Sequence, residues 1–317
     1  MAWSRLIFSL LVSVSIVCAV SKGASSNVKS VQVVAEAAIA SPFTPNGIKA
    51  GISAGNAYYV VKDHIGWWYD CKTNPGKPIA VPMLWGAGKA DSGDAKRLAD
   101  FKSKVANSTP PYFLGFEEPD CKSGSGSAGM TMDDAVDLWN NWVAPMGKRG
   151  TLLGSPSMCK QADEDWLTPF GQRTNFNWNF TNIHINKNSM AGVKKDIDYY
   201  YKKYQKPIWV SEFACVNDYW QFTPSSNQTE INIFINQIVD LFEADSRIYA
   251  YAYSNGYGLG NVWPMWKNGT LSESGRTYLN AISNTPEAHH HVEPTSNVES
   301  GGVYRSLSFY WSPTIRL

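Results

Sequence analysis

Eight short apolar runs, separated by stretches of helical periodicity, most narrow the folds open to this 317-residue chain. They cover residues 49–54, 64–69, 79–85, 112–117, 151–156, 182–186, 207–213 and 248–254. Most are nearly continuous in apolar character, as strands covered on both faces are. Between them, Leu98, Phe101 and Val105 share one helical face behind Asp94, which is placed to cap it. Thr131 and Asp134 resemble a capping box ahead of Ala135, Leu138 and Trp142. Val193, Ile197, Tyr200 and Tyr204 keep helical spacing up to Pro207, and Ile231, Phe234, Ile238 and Leu241 keep it in the longest helix. Strands alternating with helices over about 210 residues predict an α/β fold, a compact single-domain (β/α)8 TIM barrel at the small end of its range. A doubly wound open sheet is the main rival, but no G-x-G-x-x-G or P-loop segment follows any of the runs.

The flanks read differently. Met1 to Ala19 joins a short charged start to an apolar run from Leu6 to Val20 that is too short to span a bilayer comfortably. It ends in the small residues a signal peptidase reads, so residues 1–19 are expected to be a secretory signal peptide and the mature chain to be extracellular. Residues 20–45 form a leader, 46–284 the barrel, and 285–317 a polar, disordered tail carrying the run His289–His291. Removing residues 1–19 takes away Arg5 and no acidic group, leaving 27 Lys+Arg against 27 Asp+Glu. That balance argues against a nucleic-acid partner. Thirteen Trp and sixteen Tyr instead favour a ligand with flat apolar faces, as sugars have. Four N-x-[ST] sequons, at Asn107, Asn179, Asn227 and Asn268, are glycan candidates in an exported chain. A monomer is expected, with no membrane span after the leader.

In a TIM barrel the chemistry sits at the C-terminal ends of the strands. Those ends here carry Trp67, Trp68, Trp85, Glu117, Glu118, His184, Asn186, Glu212 and Tyr253, with Trp263 in the loop that follows. Glu118 and Glu212 each close an apolar run, where an unused charge would be costly. From strands four and seven they would face each other across the barrel mouth and could flank a glycosidic bond, retaining or inverting according to their separation. Structural ion pairing is the plain alternative. Cys71, Cys121, Cys159 and Cys215 all follow strand ends, so up to two disulfides would brace the same rim. Three pairings are open, and Cys71–Cys121 with Cys159–Cys215 is preferred. No Cys-x-x-Cys pair occurs, so neither a metal nor a cofactor is expected.

Several of these segments resemble glycoside hydrolase family 128. Leu114-Gly115-Phe116-Glu117-Glu118-Pro119-Asp120 is similar to the family's LGFNEPD segment on strand four. Lys206-Pro207-Ile208-Trp209-Val210-Ser211-Glu212-Phe213-Ala214-Cys215 is similar to its KPIWVTEFAC segment on strand seven. Leu153-Gly154-Ser155-Pro156 matches LGSP on strand five, and Ile183-His184-Ile185-Asn186 stands where the family has HWY. The resemblance covers roughly residues 46–282. It implies a (β/α)8 barrel acting on β-1,3-glucan, in fungal cell walls, by a two-carboxylate retaining mechanism. Glu118 would be the acid/base and Glu212 the nucleophile, with His184 beside them and Trp67, Trp68, Trp85 and Trp263 as sugar platforms. Glu117 and Asn186 depart from the pattern. Where the family has an Asn able to donate and accept, Glu117 as a carboxylate only accepts, and it adds a third negative charge. Ordinary activity, activity at a shifted pH, or oligosaccharide binding with little hydrolysis remain the three outcomes. A structural wall protein with neither property is a further reading.

Overall fold

The structure is a computed structural model. It describes residues 41–53, 55–70, 80–124, 126–219, 221–255 and 258–284. The expected signal peptide, the tail with its histidines, Cys71 and nearly all of the leader lie outside these residues.

Among the described residues, ten strands and eight α-helices follow one another along the chain. Strands β1 (Ala50–Ser53), β2 (Trp67–Tyr69), β3 (Tyr112–Phe113), β4 (Leu152–Leu153), β5 (Thr181–Lys187), β6 (Ile208–Asn217) and β8 (Ile248–Tyr253) carry the parallel pairings. Three short strands, β7 (Thr223–Pro224), β9 (Trp266–Lys267) and β10 (Thr270–Leu271), pair antiparallel. The main sheet runs β2-β1-β8-β6-β5, with β7 on β6, and β3 pairs with β4 separately. Isolated parallel bridges, Trp68–Ala80, Met83–Leu114 and Gly154–Phe180, run between the segments on either side. The expected strand over 79–85 is therefore reduced to single bridges. Pro82 has no N–H to give, and only its carbonyl serves, accepting from Leu114. The fold is a mixed α/β one, and its parallel strands are buried along most of their length because both of their faces are covered, polar residues such as Asn182 and His184 included.

Helices α1 (Tyr58–Val61), α2 (Asp94–Asp100), α3 (Met132–Leu138), α4 (Ala144–Lys148), α5 (Leu167–Arg173), α6 (Met190–Tyr204), α7 (Gln228–Ala244) and α8 (Glu273–Ser283) fill the connections. α2 and α3 each continue through a π-helical turn, Phe101–Val105 and Trp139–Val143. Thr131 caps α3 through Asp134 N as its spacing predicts. Asp94 is not a cap. It sits inside the first turn of α2, fully buried, and its carboxylate accepts from the backbone N–H of Lys89 and Ala90. Asp91 takes the capping role, accepting from Gly93 N and Asp94 N at 2.8 Å. The step of position arises because a buried carboxylate needs several donors, and the loop before the helix offers them. α6 ends on Gln205 in the left-handed conformation, two residues ahead of Pro207.

The N-terminal ends of the strands close on aromatic rings. Trp209 packs on Phe180 at 4.3 Å, Trp67 at 4.7 Å and Tyr112 at 5.0 Å between centroids. Gly51 leaves room for the Trp67 indole, which a β-carbon there would meet at 2.6 Å. Residues 42–43 lie over this end, with Phe43 O accepting from Trp209 Nε1 and Pro42 O from Tyr112 Oη. This packing leaves the opposite, C-terminal strand ends for the polar side chains.

One buried carboxylate lies away from that end. Asp196 on α6 is 1% exposed and ion-paired with Lys187 at 3.3 Å. Burial outweighs the lysine and raises its pKa from 3.8 to about 6. A raised carboxyl favours the fold when protonated, so its contribution is lost as pH climbs from about 4 through 6. Asp196→Asn is therefore expected to raise unfolding free energy at pH 8 by up to about 3 kcal/mol, the gain vanishing near pH 4. Urea unfolding of both proteins at the two pH values checks this, and an equal difference at both would contradict it.

Candidate functional site

Three carboxylates and one imidazole converge beyond the C-terminal ends of the parallel strands. Glu117 and Glu118 follow β3, His184 lies on β5 and Glu212 on β6. Successive residues of a flat strand point to opposite faces, so Glu117 and Glu118 would not both reach one ring. They do so because Glu118 adopts a left-handed φ of 45°. For a non-glycine residue that costs on the order of 1–3 kcal/mol. Hydrogen bonds hold the turn: Glu117 N donates to Trp85 O, Glu118 N to Ser157 O and Ala128 N to Glu117 O, each at 2.9 Å. Glu212 is re-aimed by a bulge. Against β5 the register steps from Ile183–Val210 to His184–Glu212, and against β8 from Val210–Tyr251 to Phe213–Tyr253. β6 thus carries one residue more than either neighbour at Ser211–Glu212, the device by which strands redirect a side chain.

His184 is the hub. Its Nδ1 lies 2.9 Å from Glu118 Oε1, and its Nε2 lies 3.7 Å from Glu117 Oε1. Glu117, His184 and Glu212 each present one donor atom within 4.8 Å of the other two. Glu118 Oε2 accepts from Ser127 Oγ at 2.6 Å, and Glu117 Oε2 from Ser157 Oγ at 3.4 Å. Glu212 accepts from Tyr69 Oη at 3.1 Å and from Ser254 Oγ at 2.6 Å. Burial alone would push His184 towards neutrality. The charge of Glu117, the hydrogen bond to Glu118 and the charge of Glu212 outweigh it and hold the imidazole near pKa 10. Burial drives the Glu117 carboxyl well up, eased by His184 and reinforced by the other two carboxylates. Glu118 is also raised by burial, but its bonds to His184 and Ser127 overcome that and leave its pKa below the usual value.

The expected site residues fall into two sets. Glu117, Glu118, His184 and Glu212 come together, and Asn186 lies two residues along β5 from His184, buried, its N–H donated to Gln161. The expected sugar platforms do not line an open surface. Trp67, Trp68, Trp85, Trp263 and Tyr253 are between 0% and 4% exposed. Trp67 stacks on Tyr69 and packs at a tilt against Trp209, Trp68 packs at a tilt against Tyr58, Trp85 lies under the Arg97 guanidinium, and Tyr253 and Trp263 stack on each other at 4.4 Å. Rings this large are drawn into the core wherever neighbours can cover both faces. Exposed aromatics among the described residues are Tyr59, Tyr219 and Phe222. Tyr69, Ser127, Ser157 and Ser254 are not among the candidate site residues that the sequence offers. Tyr69 and Ser254 lie in the second and eighth apolar runs, so the strand-end rule could have found them, whereas nothing marks Ser127 in its Gly/Ser loop.

The rim is also braced differently. Cys121 bonds to Cys159, with Cα atoms 6.2 Å apart, and Cys215 is a buried free thiol. The preferred pairing of Cys71 with Cys121 and Cys159 with Cys215 is thereby corrected. Cys121 and Cys159 follow adjacent parallel strands, β3 and β4, so their loops lie side by side. Cys215 lies within β6, where its side chain is packed inward. Asp120 adds a second brace, accepting from Cys159 N and Lys160 N. No helix among the described residues is long and apolar enough to cross a membrane.

Residues 48–278 match the family described as glycosyl hydrolase catalytic core. Two solved structures are similar over most of the chain, both described as oligosaccharide-binding proteins of glycoside hydrolase family 128, subgroup VII. The one from Cryptococcus neoformans is 53% identical, with a TM-score of 0.74, covering 76% of this chain and 96% of that one. The one from Trichoderma gamsii is 50% identical, with a TM-score of 0.74, covering 77% and 97%. Alkali-sensitive linkage protein 1 of Schizosaccharomyces pombe is 25% identical over 187 residues, 52% of this chain. The chain spans only 32% of the length of that curated relative. With the match over residues 48–278 and the paired glutamates in their expected segments, the chain belongs to the glycosyl hydrolase catalytic core family and, within it, to glycoside hydrolase family 128.

Proposed function

We propose that this chain binds β-1,3-glucan oligosaccharides over the Glu118–Glu212 site and hydrolyses them little or not at all. One observation carries this reading: both oxygens of Glu118 are engaged, Oε1 with His184 Nδ1 and Oε2 with Ser127 Oγ. A general acid must start protonated and aim that proton at the glycosidic oxygen. Here the imidazolium keeps the carboxyl ionised. Two relatives of about half-identical sequence being described as oligosaccharide-binding proteins supports it. The run of parallel pairings and bridges around the strand order supports a (β/α)8 barrel as the frame. The reading includes export by residues 1–19, a monomer at the cell wall, and sugar contacts along the cleft rim.

A second reading keeps retaining hydrolysis, with Glu118 as acid/base and Glu212 as nucleophile. It is favoured by the hold on Glu212, whose two oxygens accept from Tyr69 and Ser254 as an oriented nucleophile requires. Calorimetric titration with laminari-oligosaccharides, paired with a reducing-end assay from pH 4 to 9, separates the two. Binding without new reducing ends is the expected result. Turnover near 1 s⁻¹ or above, abolished in both Glu118→Gln and Glu212→Gln, would establish the second reading instead.

A further inference from the structure

We propose that Glu117, His184 and Glu212 form a binding site for one divalent transition-metal ion, zinc being the best match. This runs against the expectation of no metal drawn from cysteine spacing, and although it shares Glu212 with the sugar-binding reading it does not rest on that reading. One imidazole nitrogen and two carboxylate oxygens, from three different segments, lie within 4.8 Å of one another. An acidic cluster alone would say little. The independent observation is His184 Nε2: the side chain is 1% exposed, and this nitrogen has no hydrogen-bond partner. Its 3.7 Å separation from Glu117 Oε1 is too long for a hydrogen bond. Two ligands on one zinc at roughly 2.0–2.1 Å lie about 3.4 Å apart at the tetrahedral angle and about 3.7 Å apart when that angle opens.

The surroundings match what metal-binding side chains require. Metal-bound histidines give their second N–H to a carboxylate. Glu118 stands in that place at Nδ1, 2.9 Å away. The Nε2 proton that the surrounding carboxylates hold on His184 in the ion-free protein is displaced by the metal and released, so binding weakens as pH falls. Glu117 is held through Ser157, and Glu212 through Tyr69 and Ser254. One nitrogen with two oxygens suits zinc or cobalt, whereas calcium takes six or more oxygens. Three protein ligands leave a fourth position for water or a sugar hydroxyl.

The full chain, with His289–His291 replaced by alanine so that this run adds no ion, is stripped with chelator and titrated with zinc by calorimetry. Cobalt(II) is titrated in parallel by visible absorption. One ion per chain with a dissociation constant on the order of 1 µM or tighter is expected. Glu117→Gln should weaken binding at least about 100-fold, and Glu118→Gln, which touches no metal, about 10- to 100-fold. Circular dichroism confirms that each variant is folded, and a variant that is not is replaced by Glu212→Gln. Less than about 0.1 ion per chain, or unchanged affinity in Glu117→Gln, would overturn the site. Oligosaccharide titration in excess chelator tests the sugar-binding reading separately, so failure of one is not failure of the other.

Discussion

His184→Ala is expected to remove about 3–5 kcal/mol of unfolding free energy at pH 7 in chelator-containing buffer. The imidazole is fully buried between Glu117 and Glu118, with Glu212 beside it, and no lysine or arginine is ion-paired with any of the three among the described residues. Removing it leaves like charges facing one another in a site that excludes most water. The pH dependence has a definite sign. A group whose pKa is raised from 6.5 to about 10 stabilises the fold fully below 6.5, and that contribution is lost as pH rises through 10. The native protein should therefore weaken between about pH 8 and 10 more steeply than His184→Ala. Depressed Glu118 acts in the opposite range, its contribution present above 4.5 and lost as pH falls through its lowered value. Denaturant unfolding across pH 4–10 provides the measurement. Parallel curves for the two proteins on the alkaline side would mean that His184 is not the cation of the site.

Breaking the Cys121–Cys159 bond, by replacing both residues with alanine, should have an effect of similar size. The bond spans 38 residues of chain, for which the chain-entropy relation gives about 4 kcal/mol. It also holds the loop that begins three residues after Glu118. Since Asp120 reaches the same partner loop by two hydrogen bonds, the loop should loosen without coming away. Urea unfolding should show a lower midpoint and a steeper slope, since the denatured chain without the cross-link exposes more surface, and oligosaccharide affinity should drop several-fold. A loss below about 1 kcal/mol would mean that the two loops stay joined without the cross-link.

How far the site could be read from sequence depends on the kind of signal. Glu118 and Glu212 are legible because a charge closing a buried apolar run stands out against its neighbours. The long helices α6 and α7 are legible because their apolar faces repeat with the helix period, and Pro207 stands just beyond the end of α6. The tryptophans mislead. An indole at a strand end has the same letter whether it faces a ligand or another ring, and here Trp67, Trp68, Trp85 and Trp263 are covered by side chains of other elements and loops. Cysteine pairing fails for the same reason, since it depends on which loops lie side by side.

Local chemistry, written in the order of residues, determined which segments are strands and helices, where the polar side chains gather, and which family the chain resembles. It did so because apolar periodicity and strand-end charge act over a few neighbouring residues. The left-handed turn at Glu118, the extra residue of β6 at Ser211–Glu212, the covering of the indoles and the sharing of His184 among three carboxylates were decided only in three dimensions. Each depends on contacts between groups that lie in different elements of the chain, and in a buried site the distances between them set the charge each group carries.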